Sequence, residues 1–400
     1  MAPVDYTICG LAVVIFASWC INWLLHIFAI VYGKWRLSHK LPPYVAEELP
    51  AVSILKPLVG VDPHLYENLE TFFKMKYPQY ELLFCVQDEM DAALMIVQSL
   101  IQKYPKVDAK LFIGKWKKIG INPKINNMIL GYDAAKHDLI LISDSGLKMG
   151  EDTLLDMVLL MTEKTGLVHQ LPYICDRKGF SSHIEKVFFG TQHAKMYLCA
   201  NGLGINCTTG MSCLFRKEVL EEAGGMTHLG QYLAEDYMMA QAFVDRGWKV
   251  RISSQAAQQN SGMYSIPHFH ARLIRWTKLR ISTVPSTIVM EPIFQCMFLG
   301  GMASWAVSYL FDWTALVFFL IHILVWFLGD YILIKVIQRG PLPFSKFEFV
   351  VGWLMNELVS PYLIFQAHWN PAVTWRSQKY RIRWGGITEE IKPPPTKPED

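Results

Sequence analysis

His137-Asp138-Leu139-Ile140-Leu141-Ile142-Ser143-Asp144-Ser145-Gly146 is the stretch whose reading decides the fold. Its centre, Leu139 to Ile142, is continuously apolar and too short for a helix, the pattern of a strand buried on both faces of a sheet. A carboxylate and a glycine follow at once. In an open α/β sheet, ligands bind in the crevice outside the carboxyl ends of the strands, so Asp144 is placed to meet a ligand or a metal on a diphosphate. An aspartate in that position also serves as a plain turn residue. The motifs on either side choose between the two.

The same pattern recurs upstream. Ala51 to Pro57 reads as a first strand with Lys56 at its exit, Asp62 to Tyr77 as a helix, and Tyr80 to Gln87 as a second apolar strand followed by Asp88, Glu89 and Asp91. Ala92 to Tyr104 carries apolar residues at helical spacing, and Ala109 to Ile113 is a third strand. These are βα units of a mainly parallel sheet. Asn122-Pro123-Lys124 opens the helix that returns to the central strand, so its N-terminus and Lys124 are suited to phosphate oxygens, whereas Lys115, Lys117 and Lys118 read as a solvated loop.

The 400 residues are 52% hydrophobic, with the excess at the two ends. Tyr6 to Tyr32 has no Asp, Glu, Lys or Arg, is long enough to cross a bilayer, and is followed by Lys34, Arg36 and Lys40. That flank puts the next domain in the cytosol. Without a basic leader or cleavage site, the run reads as a retained anchor (1–33), joined by a linker (34–50) to a globular domain (51–265). Eight scattered Cys with no CxxC pair suit reduced cytosolic thiols, so the sequon Asn206-Cys207-Thr208 is expected to stay unglycosylated. A net charge of +3 and the absence of zinc or RNA-binding motifs argue against nucleic acid.

Past the central strand, His183 and His193 sit in an aromatic segment, and each fits a structural histidine. Glu235 and Asp236 open an apolar helix, where negative charge also suits the helix dipole. Residues 266–287 contain a basic amphipathic helix with the sequence Arg272-Leu273-Ile274-Arg275-Trp276, which fits a membrane surface or a diphosphate. The C-terminal membrane region, 288–370, holds three apolar stretches. Glu291 and Pro292 interrupt the first and Asn356, Glu357 and Pro361 the third, so two full spans and one re-entrant segment are expected. That count keeps the following basic, partly disordered tail (371–400) inside.

Asp88/Asp91, Asp144, Asp236 and the Arg-x-x-Arg-Trp run together resemble the D, D, D, (Q/R)xxRW signature of membrane-bound inverting GT-A glycosyltransferases. Asn122 to Asn127, Ile142 to Gly146, Thr209 to Cys213, Ala234 to Tyr237 and Arg272 to Arg280 are similar to the ceramide glucosyltransferases among them. The likeness implies an α/β GT-A domain flanked by transmembrane helices, with UDP-glucose as donor, ceramide as acceptor, and a Golgi or endoplasmic reticulum membrane as location. It also implies that Asp91, with Asp88 beside it, meets the uridine, that Asp144 holds the diphosphate and a metal, and that Asp236 is the base. Arg272, Arg275 and Trp276 would close on UDP and acceptor, with Lys124 and His193 near the substrate. The usual DxD motif is Asp144-Ser145-Gly146 here and lacks its second carboxylate, which weakens the expectation of Mg²⁺ or Mn²⁺.

Those residue types suit an in-line displacement by an alcohol, which needs one base and cationic help for the departing diphosphate. Rival readings are a processive polysaccharide synthase, a polyprenyl-phosphate sugar transferase and an inactive membrane scaffold. The first needs more spans than this chain has, and the second is less similar around Arg272 to Arg280. Monomer and homo-oligomer both remain open.

Overall fold

The computed structural model describes residues 6–39, 41–114, 118–175, 177–262, 264–370, 372–375 and 378–391. Lys115, Lys117 and the end of the expected tail, 392–400, lie outside them. Strands β1 (Val52–Leu58), β2 (Tyr80–Val86), β3 (Asp108–Ile113) and β4 (Leu139–Ser143) alternate with helices Leu65–Phe73, Ala93–Lys103 and Pro123–Asp133. Beyond them come β5 (Leu147–Lys148), β6 (Thr165–His169), β7 (Pro172–Ile174), β8 (Ser212–Arg216), β9 (Lys249–Ile252) and β10 (Ala257–Gln259). Seven of these form one sheet in the order β3-β2-β1-β4-β8-β6-β9, and β5-β10-β7 make a small second sheet.

The sheet is parallel from β3 to β4 and turns antiparallel at β8. β1 leads outward to β2 and β3 on one side, and the chain then returns to add β4 on the other. The join of β1 and β4 is therefore where the strand order reverses, and the crevice at their carboxyl ends is the natural ligand site. The central strands have no exposed face: β4 is buried throughout, with Leu82, Phe84, Leu139 and Leu141 in one apolar layer and Leu83, Ile125, Ile140 and Phe215 in the other. That is why the quoted run reads as unbroken apolar residues and not as an alternation.

Among the described residues two helices, Tyr6–Leu37 and Ala315–Gln338, are long and apolar enough to cross a membrane. The first of the three expected C-terminal stretches is broken, with Thr287–Ile293 and Cys296–Phe311 bent by 78°. Proline and the polar pair at Glu291 and Gln295 supply the reason, because a ring without an N–H interrupts the hydrogen-bond ladder. The third is a continuous helix, Lys346–Trp369, whose Asn356 and Glu357 are buried against the domain: Asn356 donates to the Ile184 carbonyl at 3.1 Å and Glu357 accepts from Gln192 at 2.7 Å. His26 Nε2 lies 3.3 Å from Asp330 Oδ1 and Trp353 donates to Asp330 at 2.8 Å, contacts that tie the N-terminal helix to this block.

The expectation of a tail after 371 needs correction. β11 (Ala372–Trp375), β12 (Gln378–Ile382) and β13 (Thr388–Glu390) form an antiparallel sheet that packs on the catalytic domain. Val373, Tyr380 and Ile382 bury against Leu233, and the Thr388 amide donates to the Gln231 carbonyl at 3.1 Å. Lys118 pairs with Glu390 at 3.0 Å.

Candidate active site

A cleft of about 470 Å³ opens at the carboxyl ends of β1 and β4, within the range that holds a small organic ligand. Its floor is the β1 exit loop from Pro57 to Asp62 and the β4 exit from Asp144 to Leu147. Helix Pro123–Asp133 points its N-terminus here: Asn122 caps it by accepting from the Lys124 amide at 2.8 Å, and Pro123 occupies the first turn, where its missing N–H costs nothing.

Lys124 is the centre of the site. Its ammonium donates to Asp144 Oδ1 at 2.9 Å and to the Gly210 carbonyl at 2.8 Å, and lies 3.3 Å from Glu235 Oε1. Burial alone would lower its pKa, but the charges of Asp144, Glu235 and Asp236 hold it well above the ordinary lysine range. Asp236 stands beside this pair. Its carboxylate accepts from the amides of Gly210 (2.7 Å) and Tyr237 (2.8 Å), yet burial and then the Glu235 charge push its pKa up to about 6. A carboxylate with that affinity for protons is still ionised at neutral pH and is a better base than an ordinary aspartate.

The close approach of two glycines assembles these groups. A Cβ on Gly120 would lie 2.3 Å from the Gly230 carbonyl oxygen, so only glycine lets the 118–122 segment meet the 230–235 segment. Across that contact Asn122 donates to the Tyr232 carbonyl (2.7 Å) and to Glu235 Oε2 (2.9 Å). One asparagine thus caps the Lys124 helix and holds the carboxylate that Lys124 faces.

The opposite wall is built from helix Ile266–Thr283. Arg272 lies over Tyr264 (5.1 Å) and over Trp276 (4.9 Å), and Arg275 over Trp375 (5.4 Å). Among the described residues neither arginine has a carboxylate within ion-pair distance, and Arg272 Nη1 is buried without a partner. Burial, reinforced by Arg272, lowers the Arg275 pKa to about 10, which leaves it charged. Half-buried cations without a carboxylate partner are costly unless an anion joins them.

Residues 21–388 match the family model described as "Glycosyl transferase family 21". The chain belongs to this family. Ceramide glucosyltransferase 3 of Caenorhabditis elegans is 43% identical over 374 residues, covering 93% of this chain and 80% of that protein. Ceramide glucosyltransferase 1 of the same organism is 41% identical, covering 98% and 84%. Among solved structures, the mannosyltransferase PcManGT from Pyrobaculum calidifontis, in complex with GDP-Man and Mn2+, matches with a TM-score of 0.50 at 16% identity, over 90% of this chain and 97% of that one. That likeness shows the GT-A fold.

In this family 21 chain the sequence-selected residues do not all meet. Lys124, Asp144 and Asp236 converge, and Arg272 faces the first two across the cleft. Asp88 stands exposed outside it, its carboxylate accepting from the Met90 amide. Asp91 is spent on structure, because it caps the helix at Ala93 (2.9 Å) and holds the Gly60 amide (2.7 Å), which fixes the β1 exit loop. His193 sits on a π-helical turn, Phe189–His193, packed among Phe189, Tyr197 and Trp276. Burial, then the Arg280 and Arg272 charges, drive its pKa to about 3, so it is a neutral imidazole. The basic helix buries Phe269 and Leu273 in the core, with Arg272 lining the cleft and Arg275 lying over Trp375.

Lys56, Asn122, Glu235 and Trp375 were not singled out by sequence for the roles they hold here. Lys56 is fully buried, donates to the Asp144 carbonyl (2.7 Å) and to Ser143 Oγ (3.2 Å), and lies over Phe72; burial pulls its pKa to about 7. A lysine inside an otherwise apolar strand was the available signal.

Proposed function

We propose that the chain transfers glucose from UDP-glucose to the primary hydroxyl of ceramide, with inversion, at the cleft of Lys124, Asp144 and Asp236. The observation that carries this reading is an ammonium neutralising the strand-exit Asp144 and the helix-opening Glu235 and Asp236, opposite two arginines without a carboxylate partner, within a family 21 chain. The nucleotide-sugar diphosphate fits between those cations. The ceramide hydroxyl oxygen attacks the anomeric carbon, the bond to the diphosphate oxygen breaks, and the electron pair leaves on UDP. Asp236 takes the hydroxyl proton. Arg272, Arg275 and Lys124 stabilise the charge that develops on the leaving group, in a wall that excludes water. Trp276 and the neutral His193 form the apolar side against which the acceptor rests, and Asp91 serves the uridine end by fixing the β1 loop.

The described residues contain no cluster of three His, Cys, Asp or Glu suited to a metal. Asp144, with 43% of its side chain exposed at the cleft, still fits the minimal arrangement in which one carboxylate and the substrate phosphates hold the ion. Mg²⁺ or Mn²⁺ bound there would add positive charge at the diphosphate.

Ceramide stays in its bilayer because each exposed CH₂ costs about 0.8 kcal/mol. The site must come to the lipid. Helices Tyr6–Leu37 and Ala315–Gln338 would hold the cleft at the cytosolic face of a Golgi or endoplasmic reticulum membrane. Purified protein in ceramide-containing vesicles, given a panel of radiolabelled nucleotide sugars, should label ceramide from UDP-glucose and leave other lipid acceptors unlabelled. Labelling of a polyprenyl phosphate in place of ceramide would sink the reading.

A further inference from the structure

We propose that Trp375, supplied by the C-terminal sheet, is a donor-binding residue that closes the cleft over the nucleoside diphosphate. This rests on the reading of the cleft as a nucleotide-sugar site. Trp375 ends β11 and lines the cleft together with Arg272, Tyr264, Lys124 and Asp144. It is half-buried, with the Arg275 guanidinium 5.4 Å from its ring. An indole with a cation on one side and an anion-binding cleft on the other has two tasks. It holds Arg275 against the site, and it offers a flat apolar face to a planar ring.

Its placement is fixed from three directions. The Lys278 ammonium donates to the Ala372 carbonyl at 2.7 Å, anchoring β11 to the helix that carries Arg272 and Arg275. The Gly385 amide donates to the Ser282 carbonyl at 2.9 Å near the end of the same helix. Thr388 bonds Gln231, and Tyr232 bridges to Ile387, so the sheet also grips the segment leading into Glu235 and Asp236. A tryptophan bolted to both walls of a cleft, while keeping part of its ring uncovered, is built to touch what the cleft binds. A side chain needed only for the sheet core would be buried like Val373 and Tyr380, each 1% exposed.

The test is UDP binding by the full-length chain in detergent, measured by calorimetry on the natural protein, Trp375→Phe and Trp375→Leu. Loss of an aromatic wall beside a nucleotide is expected to weaken UDP about tenfold in Trp375→Leu, with Trp375→Phe within about threefold of the natural chain. Thermal unfolding should be alike in all three. A Trp375→Leu protein that binds UDP as the natural chain does overturns the inference while leaving the donor reading intact. Failure of the natural chain itself to bind UDP fells the donor reading and this inference with it. Should Trp375→Leu not fold, fluorescence decides: UDP should quench the natural protein more than Trp375→Phe, and equal quenching overturns the proposal.

Discussion

Asp236 and Lys124 form one electrostatic unit, so their variants should differ in kind. Asp236→Asn keeps an acceptor for the Gly210 amide but removes the base, and turnover should fall at least about 10²-fold, the lower end of what a general base supplies, while UDP still binds. Turnover near the natural rate would refute the base. Because burial and Glu235 raise the Asp236 pKa to about 6 and the base acts only when ionised, kcat should fall about tenfold per pH unit below 6 and be level above it. Lys124→Met leaves Asp144, Glu235 and Asp236 facing one another without their shared cation. The acid limb should therefore move to higher pH, and donor KM should rise; an unmoved limb would mean that Lys124 does not set the charge of the base. The carboxylates were legible in the sequence because each ends a strand or opens a helix. Their common cation was not, since the contact of Lys124 with Glu235 depends on Gly120 and Gly230, far apart in the chain, touching backbone to backbone.

At the scale of elements, strands and helices whose burial is set locally could be read directly. Residues 139–142 and 82–86 are apolar without interruption because both faces of their strands are covered, whatever the rest of the chain does. The C-terminal sheet is different. Its small core needs Leu233, Ile121 and Leu279 from elsewhere, and in the segment alone Arg376, Lys379, Arg381 and Arg383 break up the short apolar runs, which reads as a basic tail. The π-helical turn before Ala194 likewise has no local signature, and it takes its shape by turning Gln192 to Glu357 and His193 to Trp276. If the sheet is part of the catalytic unit, emptying its core should cost activity as well as stability. Tyr380→Ala removes a 1%-exposed ring and should destabilise by about 3 kcal/mol, with a raised donor KM in the fraction that remains folded. A stability loss with an unchanged KM would reduce the sheet to a scaffold.

For the whole molecule, the sheet constrains how the chain meets the membrane. β13 is hydrogen-bonded to Gln231, so the C-terminal segment and the catalytic domain must share one side of the bilayer. The chain between residues 283 and 372 then crosses an even number of times. Helices Cys296–Phe311 and Ala315–Gln338 turn back on each other through 312–314, and Leu316, Leu320, Leu324 and Leu328 face outward where lipid would lie. Lys346–Trp369 packs along helices Phe180–Phe188 and Ile266–Thr283 instead, with Asn356 donating to the Ile184 carbonyl and one Glu357 oxygen accepting from Gln192, contacts that favour an interfacial position over a crossing. The exposed Trp313 and Trp384 should accordingly lie on opposite sides. In sealed vesicles with the cytosolic face outward, a membrane-impermeant maleimide should label a thiol placed by Trp384→Cys at once, and one placed by Trp313→Cys only after permeabilisation. On the proposed orientation, with the catalytic domain facing the cytosol, Asn206 should carry no glycan, and its side chain already donates to the Tyr237 carbonyl and to Gln241. Equal labelling of the two thiols in intact vesicles, or a glycan on Asn206, would require a different path through the bilayer and would separate the sheet from the carboxylates it is argued to hold in place.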